Sequence, residues 1–76
     1  METSNYKVLL KEEPEGGFTV FVPSLEGCIT YGKDLKEAKV NAKEAIELYI
    51  ESLKEDNLPI PKDDNLLELN LEVSYT

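Results

Sequence analysis

The sequence contains no histidine, no arginine and no tryptophan, and it has one cysteine, Cys28. Without histidine the chain lacks the usual general base of a serine or cysteine hydrolase and the commonest metal ligand. Ser24 therefore has no group to activate it and reads as a turn residue whose hydroxyl bonds locally. Cys28 has neither His nor Arg to hold a thiolate and reads as a small buried hydrophobe. One cysteine makes no intramolecular disulfide, so nothing staples this small fold. Eight lysines face sixteen acidic side chains, for a formal net charge of -8. That balance argues against direct nucleic-acid binding, because phosphate contacts need a concentrated positive surface and Arg supplies the best bidentate donors. No apolar run approaches the roughly 20 residues that cross a bilayer. The acidic N-terminus also lacks the basic, then apolar, layout of a signal peptide, and a cytoplasmic protein without membrane contact is expected.

The carboxylates form no recognisable site. Glu12, Glu13 and Glu15 bracket a turn and Asp63 and Asp64 lie in a loop, with none of the spacing of a twelve-residue calcium loop. The glycines are too few and wrongly flanked for a phosphate cradle. No catalytic residue, metal or cofactor is expected.

What is present is a single small domain over residues 1–76, apolar at 41% and charged at 32%, which suits a soluble globular chain. Tyr6-Lys7-Val8-Leu9-Leu10-Lys11-Glu12 alternates as a strand and Phe18-Thr19-Val20-Phe21-Val22 as a second. Between them Gly16 and Gly17 supply the positive dihedrals of a tight antiparallel hairpin. Pro23 ends the second strand, Gly27 permits a bend, and Cys28 to Tyr31 form a short third strand. Gly32 leads into a helix. Asp34 is a suitable N-cap and Glu37 is placed to return a bond to the Asp34 amide. Leu35, Ala38, Ala42, Ala45, Ile46, Tyr49 and Leu53 make a stripe of roughly 100° along about 22 helical residues. Asn57 fits the exit, and Pro59 and Pro61 exclude continuation. Leu67, Leu69, Leu71 and Val73 alternate with polar residues as a fourth strand. The expected fold class is α+β, in the order β-β-β-α-β, with three antiparallel strands, one long helix and a fourth strand. The helix covers one face of the sheet.

The other face is left open. With Tyr6, Val8, Leu10, Phe18, Val20 and Val22 toward the helix, strand parity sends Leu9, Thr19 and Phe21 outward. On the third strand Cys28 and Thr30 share one face and Ile29 and Tyr31 the other, with the register left open. The small core favours a partner patch here, and a homodimer or higher homo-oligomer through the open face or a sheet edge is expected. The candidate protein interface comprises Leu9, Phe21 and Tyr31, with Glu12, Glu13 and Glu26 as an acidic rim. The helix is also charged against its dipole, with Lys36, Lys39 and Lys43 in the first half and Glu44, Glu47, Glu51, Glu55 and Asp56 in the second. Asp34 and Glu37 oppose that trend.

Taken together, Tyr6 through Gly16-Gly17, the run Phe18 to Gly32 with its Pro23-Ser24-Leu25-Glu26-Gly27-Cys28 core, Leu35-Lys36-Glu37-Ala38, Asn41 to Ile46, and Ile60-Pro61 resemble the HicB-type antitoxin domain. The resemblance covers roughly residues 5 to 73. It implies a partial ribonuclease-H-like fold without nuclease activity, and a partner of the HicA type, a small basic ribonuclease toxin that is bound and masked. An acidic surface suits that task. Full antitoxins of the family usually append a DNA-binding module, and the resemblance ends before one, so a stand-alone member is expected. The rival expectation is an oligomeric scaffold or regulatory protein-binding domain with no toxin partner.

Overall fold

The computed structural model describes residues 4–76, with Asn65 described by its backbone alone. Three four-residue strands, β1 (Leu9–Glu12), β2 (Phe18–Phe21) and β3 (Ile29–Gly32), form an antiparallel sheet in the order β1-β2-β3. One helix follows, α1 (Leu35–Glu55), and then a single 3-10 turn at Asp63–Asn65. The α+β class and the helix over one sheet face are as the residue pattern requires. The strands are shorter than the alternation suggests, and ladder pairing begins at Leu9 rather than Tyr6.

Each connection follows from its turn chemistry. Between β1 and β2 the Gly16 amide donates to the Glu13 carbonyl, and the Glu13 amide to the Gly17 carbonyl, both at 2.9 Å. The chain then passes through Gly16 and Gly17 at φ 105° and 83°. Gly17 also leaves room for the Tyr31 side chain, whose hydroxyl would have to shift to admit a Cβ there. The corner from β2 to β3 is two consecutive turns. Leu25 N–H donates to Val22 O at 3.0 Å, and Cys28 N–H to Leu25 O at 2.9 Å. Pro23 sits at the second position of the first turn and Gly27, at φ 78°, at the third position of the second, where these residues are favoured. The double turn drives Leu25 inward to 0% exposure, beside Val22 and Cys28.

The helix begins and ends on side-chain and backbone caps. The Asp34 carboxylate accepts the Glu37 amide at 2.8 Å. The reciprocal bond differs by one residue from the sequence expectation. Glu37 Oε1 accepts from the Lys33 amide at 3.0 Å, not from Asp34, so the box closes one residue further out. At the exit Asn57 takes φ 56°, its amide donates to Lys54 O at 3.1 Å, and Leu58 N–H donates to Leu53 O at 2.9 Å. This is the paired arrangement in which a left-handed residue satisfies the last carbonyls.

Ala38 and Ala42 are buried against Val20, with Val8 and Phe18 beside them. Further along, Ala45, Ile46 and Tyr49 pack on the corner residues Val22, Leu25 and Cys28. The helix comes close because Gly32 has no side chain: a Cβ there would lie 2.3 Å from the Ala38 backbone nitrogen. Two expectations fail. Leu35, assigned to the buried stripe, is 56% exposed: it is the first residue of the helix, and burial begins one turn later at Ala38. The fourth strand is absent among the described residues: Leu67–Val73 makes no ladder. Its alternating apolar residues find no cover within their own chain.

Leu25→Ala is expected to lose about 2–5 kcal/mol through the cavity left at a fully buried site. Leu35→Ala should stay within about 0.5 kcal/mol. Urea unfolding of the two variants checks the contrast, and equal midpoints would contradict this placement of the core.

Candidate protein interface

The pairing register decides what the open sheet face carries. Leu9 lies opposite Phe21, and Phe21 opposite Ile29, so these three form one apolar row across all three strands. Lys11, Thr19 and Tyr31 form the next row on the same face. Leu9, Ile29 and Tyr31 are exposed and Phe21 is half-buried. The register that the sequence left open thus adds Ile29 to the patch. Tyr31 is also spent on the fold, since its hydroxyl donates to the Gly16 carbonyl at 3.0 Å and its own carbonyl accepts from Asn41 Nδ2 at 2.7 Å.

The three acidic positions do not form one cluster. Glu12 ends β1 opposite Phe18, on the helix side of the sheet, and is exposed. Glu13 is half-buried and its carboxylate accepts the Thr19 hydroxyl hydrogen, which ties it to the hairpin. Glu26 is exposed in the corner at the opposite end of β2, where its carbonyl accepts the Tyr49 hydroxyl at 2.8 Å. Glu12 and Glu26 therefore stand at two ends of the sheet, and Glu13 serves the turn.

A second surface lies on the other side. Between β1 and α1 runs a groove of about 700 Å³ whose walls include Val8, Leu10, Ala42, Ile46 and Ile50. Alternate residues of one strand and every fourth residue of the helix supply these walls, as the two side-chain periods dictate.

The residue that sequence reasoning missed is Asp63. Its carboxylate accepts the Ser24 hydroxyl hydrogen and the Lys7 backbone amide. The Tyr6 hydroxyl donates to Pro61 O at 2.6 Å close by. Ser24 is thus a turn residue, but its hydroxyl bonds 39 positions away rather than locally. The two donors hold the Asp63 carboxyl below the usual carboxylate range, the Ser24 hydroxyl contributing most. Burial, helped by the Asp63 charge, pushes the Tyr6 phenol up. Burial likewise raises the Cys28 thiol, which keeps it in the unreactive protonated form. Among the described residues no three His, Cys, Asp or Glu side chains converge to hold a metal ion, and no helix is long and apolar enough to cross a membrane.

Comparison with known proteins identifies the family of the chain. Residues 6–76 match the family described as the HicB-like antitoxin of bacterial toxin-antitoxin systems. A UPF0150 protein of Synechocystis is 48% identical over 64 residues, covering 84% of this chain and 81% of that protein. A UPF0150 protein of Thermoplasma acidophilum is 51% identical over 59 residues, covering 78% and 86%. One of Helicobacter pylori is 41% identical over 64 residues, covering 84% and 89%. The chain belongs to the HicB-like antitoxin family.

Asp63 carries a pH prediction. Its folded pKa lies below its unfolded value of about 3.9, so near that pH the unfolded chain binds more protons than the folded one. The clamp is therefore at full strength above the unfolded value and is lost as pH falls through the folded one. Asp63→Asn should be less stable than the parent at pH 7, with the gap closing below about pH 4. Urea midpoints measured at neutral and acidic pH check this, and a gap that stays constant would remove Asp63 from the clamp.

Proposed function

We infer that this protein is a noncatalytic antitoxin that binds and masks a small basic ribonuclease toxin of the HicA type in the cytoplasm. The observation that carries the reading is the uncovered sheet face, on which Leu9, Phe21 and Ile29 form a continuous row in a chain of net charge -8. An apolar centre excludes water and sets the lifetime of a complex, while surrounding negative charge draws a basic partner in. A nuclease toxin is inhibited simply by having its cationic substrate surface covered. That requires no reactive group from the antitoxin. The family supports a toxin-antitoxin role, and the net charge of the chain supports a basic partner.

Co-expression tests the reading directly. A small basic protein encoded beside this gene should arrest growth alone, and this chain should restore growth and co-purify with it. Failure of both rescue and complex formation would overturn the assignment. Within such a complex the two residue classes should separate. Glu12→Gln with Glu26→Gln should lower the association rate and flatten its dependence on salt, whereas Phe21→Ser should chiefly speed dissociation. Stopped-flow association at low and high salt reads the first effect and dissociation by competition reads the second. Equal salt slopes in parent and variant would take these carboxylates out of the steering surface.

A further inference from the structure

β3 is the outer strand opposite β1, with no strand on its far side among the described residues. Which of its backbone groups face outward follows from the ladder. The Val22 amide donates to the Cys28 carbonyl at 3.1 Å, so Cys28 faces β2, and with it Thr30 and Gly32 at alternate positions. Ile29 and Tyr31 therefore turn their N–H and C=O groups away from the sheet. Their side chains are 58% and 49% exposed, which makes this edge apolar as well as unpaired by any strand. Such an edge is a template for a strand of another chain. We propose that Asn41 guards it: from α1 its carboxamide occupies the Tyr31 carbonyl and denies the β3 edge to any further strand.

Three observations carry this role. The first is the contact itself. Asn41 Nδ2 donates to Tyr31 O at 2.7 Å, a bond from a helix side chain to an outward strand carbonyl. An incoming antiparallel strand bonds to both the N–H and the C=O of an outward residue, so with the Tyr31 carbonyl taken the edge keeps Ile29 alone as a complete pairing position. The second is position. Asn41 lies one turn after Ala38 and one turn before Ala45, at the border of the core-facing stripe, and the helix backbone meets β3 at Gly32. The same close packing that builds the core thus sets this side chain beside the edge. The third is residue type. Asparagine is a weak helix former, and Asn41 stands inside the 21-residue helix, where no cap calls for it. The bond across to β3 supplies the reason.

Sedimentation velocity of the parent and of Asn41→Ala over a range of concentrations tests the guard. Alanine favours a helix more than asparagine does, so circular dichroism should be retained. The variant should nevertheless gain mass with concentration, to about twice the parent's or more, as its freed edges pair. In those species the Ile29 and Tyr31 amides should become protected from hydrogen exchange. Adding Ile29→Pro should return the variant to the parent's size, because proline removes an outward donor and spares the ladder with β2. A role confined to holding helix against strand gives the opposite result, since a second disruptive substitution would enlarge any aggregate of unfolded chains. The guard is overturned if Asn41→Ala keeps the parent's mass throughout, or if its larger species survive Ile29→Pro. It is likewise overturned if the parent's own Ile29 and Tyr31 amides gain protection as its concentration rises.

Discussion

The close approach of α1 to the sheet at Gly32, Ala38 and Ala42 is the constraint on which the remaining structure depends. Small residues on both sides let the helix backbone almost touch β3, and a single added Cβ at Gly32 would collide with the Ala38 amide. The helix is 21 residues and each strand only four, so about 32 Å of helix lies over strands of about 14 Å. The sheet cannot cover such a helix alone. Its middle turns are covered by the double-turn corner, which supplies Val22, Leu25 and Cys28. Past the corner, the Ile46 and Ile50 positions face the groove. One helix on one side likewise leaves the other sheet face bare. Both candidate surfaces are consequences of the same layout.

The parts of this fold that were legible in the sequence are those with local causes. Gly16-Gly17 and Pro23 with Gly27 specify turns by dihedral preference, Asp34 and Asn57 mark the helix ends, and alternation places Val20 and Val22 inward. The parts that were not legible depend on the chain meeting itself at a distance. Leu25 sits between Ser24 and Glu26 in a polar turn without any period, so its complete burial is visible only once the two turns are folded. The Ser24–Asp63 contact joins two surface-type residues 39 positions apart and leaves no trace in pattern. Leu35 has the angular position of a core residue, but angle alone does not say at which residue of the helix burial begins. The apolar row at Leu9 and Phe21 followed from parity, whereas Ile29 required a register. For the last segment, period two says that one face seeks cover and is silent on which chain provides it.

Charge placement on the helix takes on a meaning from the fold that the sequence alone does not give. Most lysines of the helix lie in its first half and most acids in its second, against the helix dipole, while the terminal turns, where that dipole acts, also hold Glu37 and Lys54 in the favourable places. In the folded chain Lys39 and Lys43 border the groove, joined there by Lys54 and by Lys62 from beyond the helix. A chain of net charge -8 thus gathers half its positive side chains around one apolar channel.

The two surfaces are also mechanically related, because they lie on the two faces of one sheet and share β1. Leu9 stands in the apolar row of the open face, and Leu10, one position on, stands in the wall of the groove. A one-residue slip of β1 against β2 would therefore exchange the two roles, placing Leu10 in the row and removing Leu9 from it, so the pairing of Leu9 with Phe21 fixes both surfaces at once.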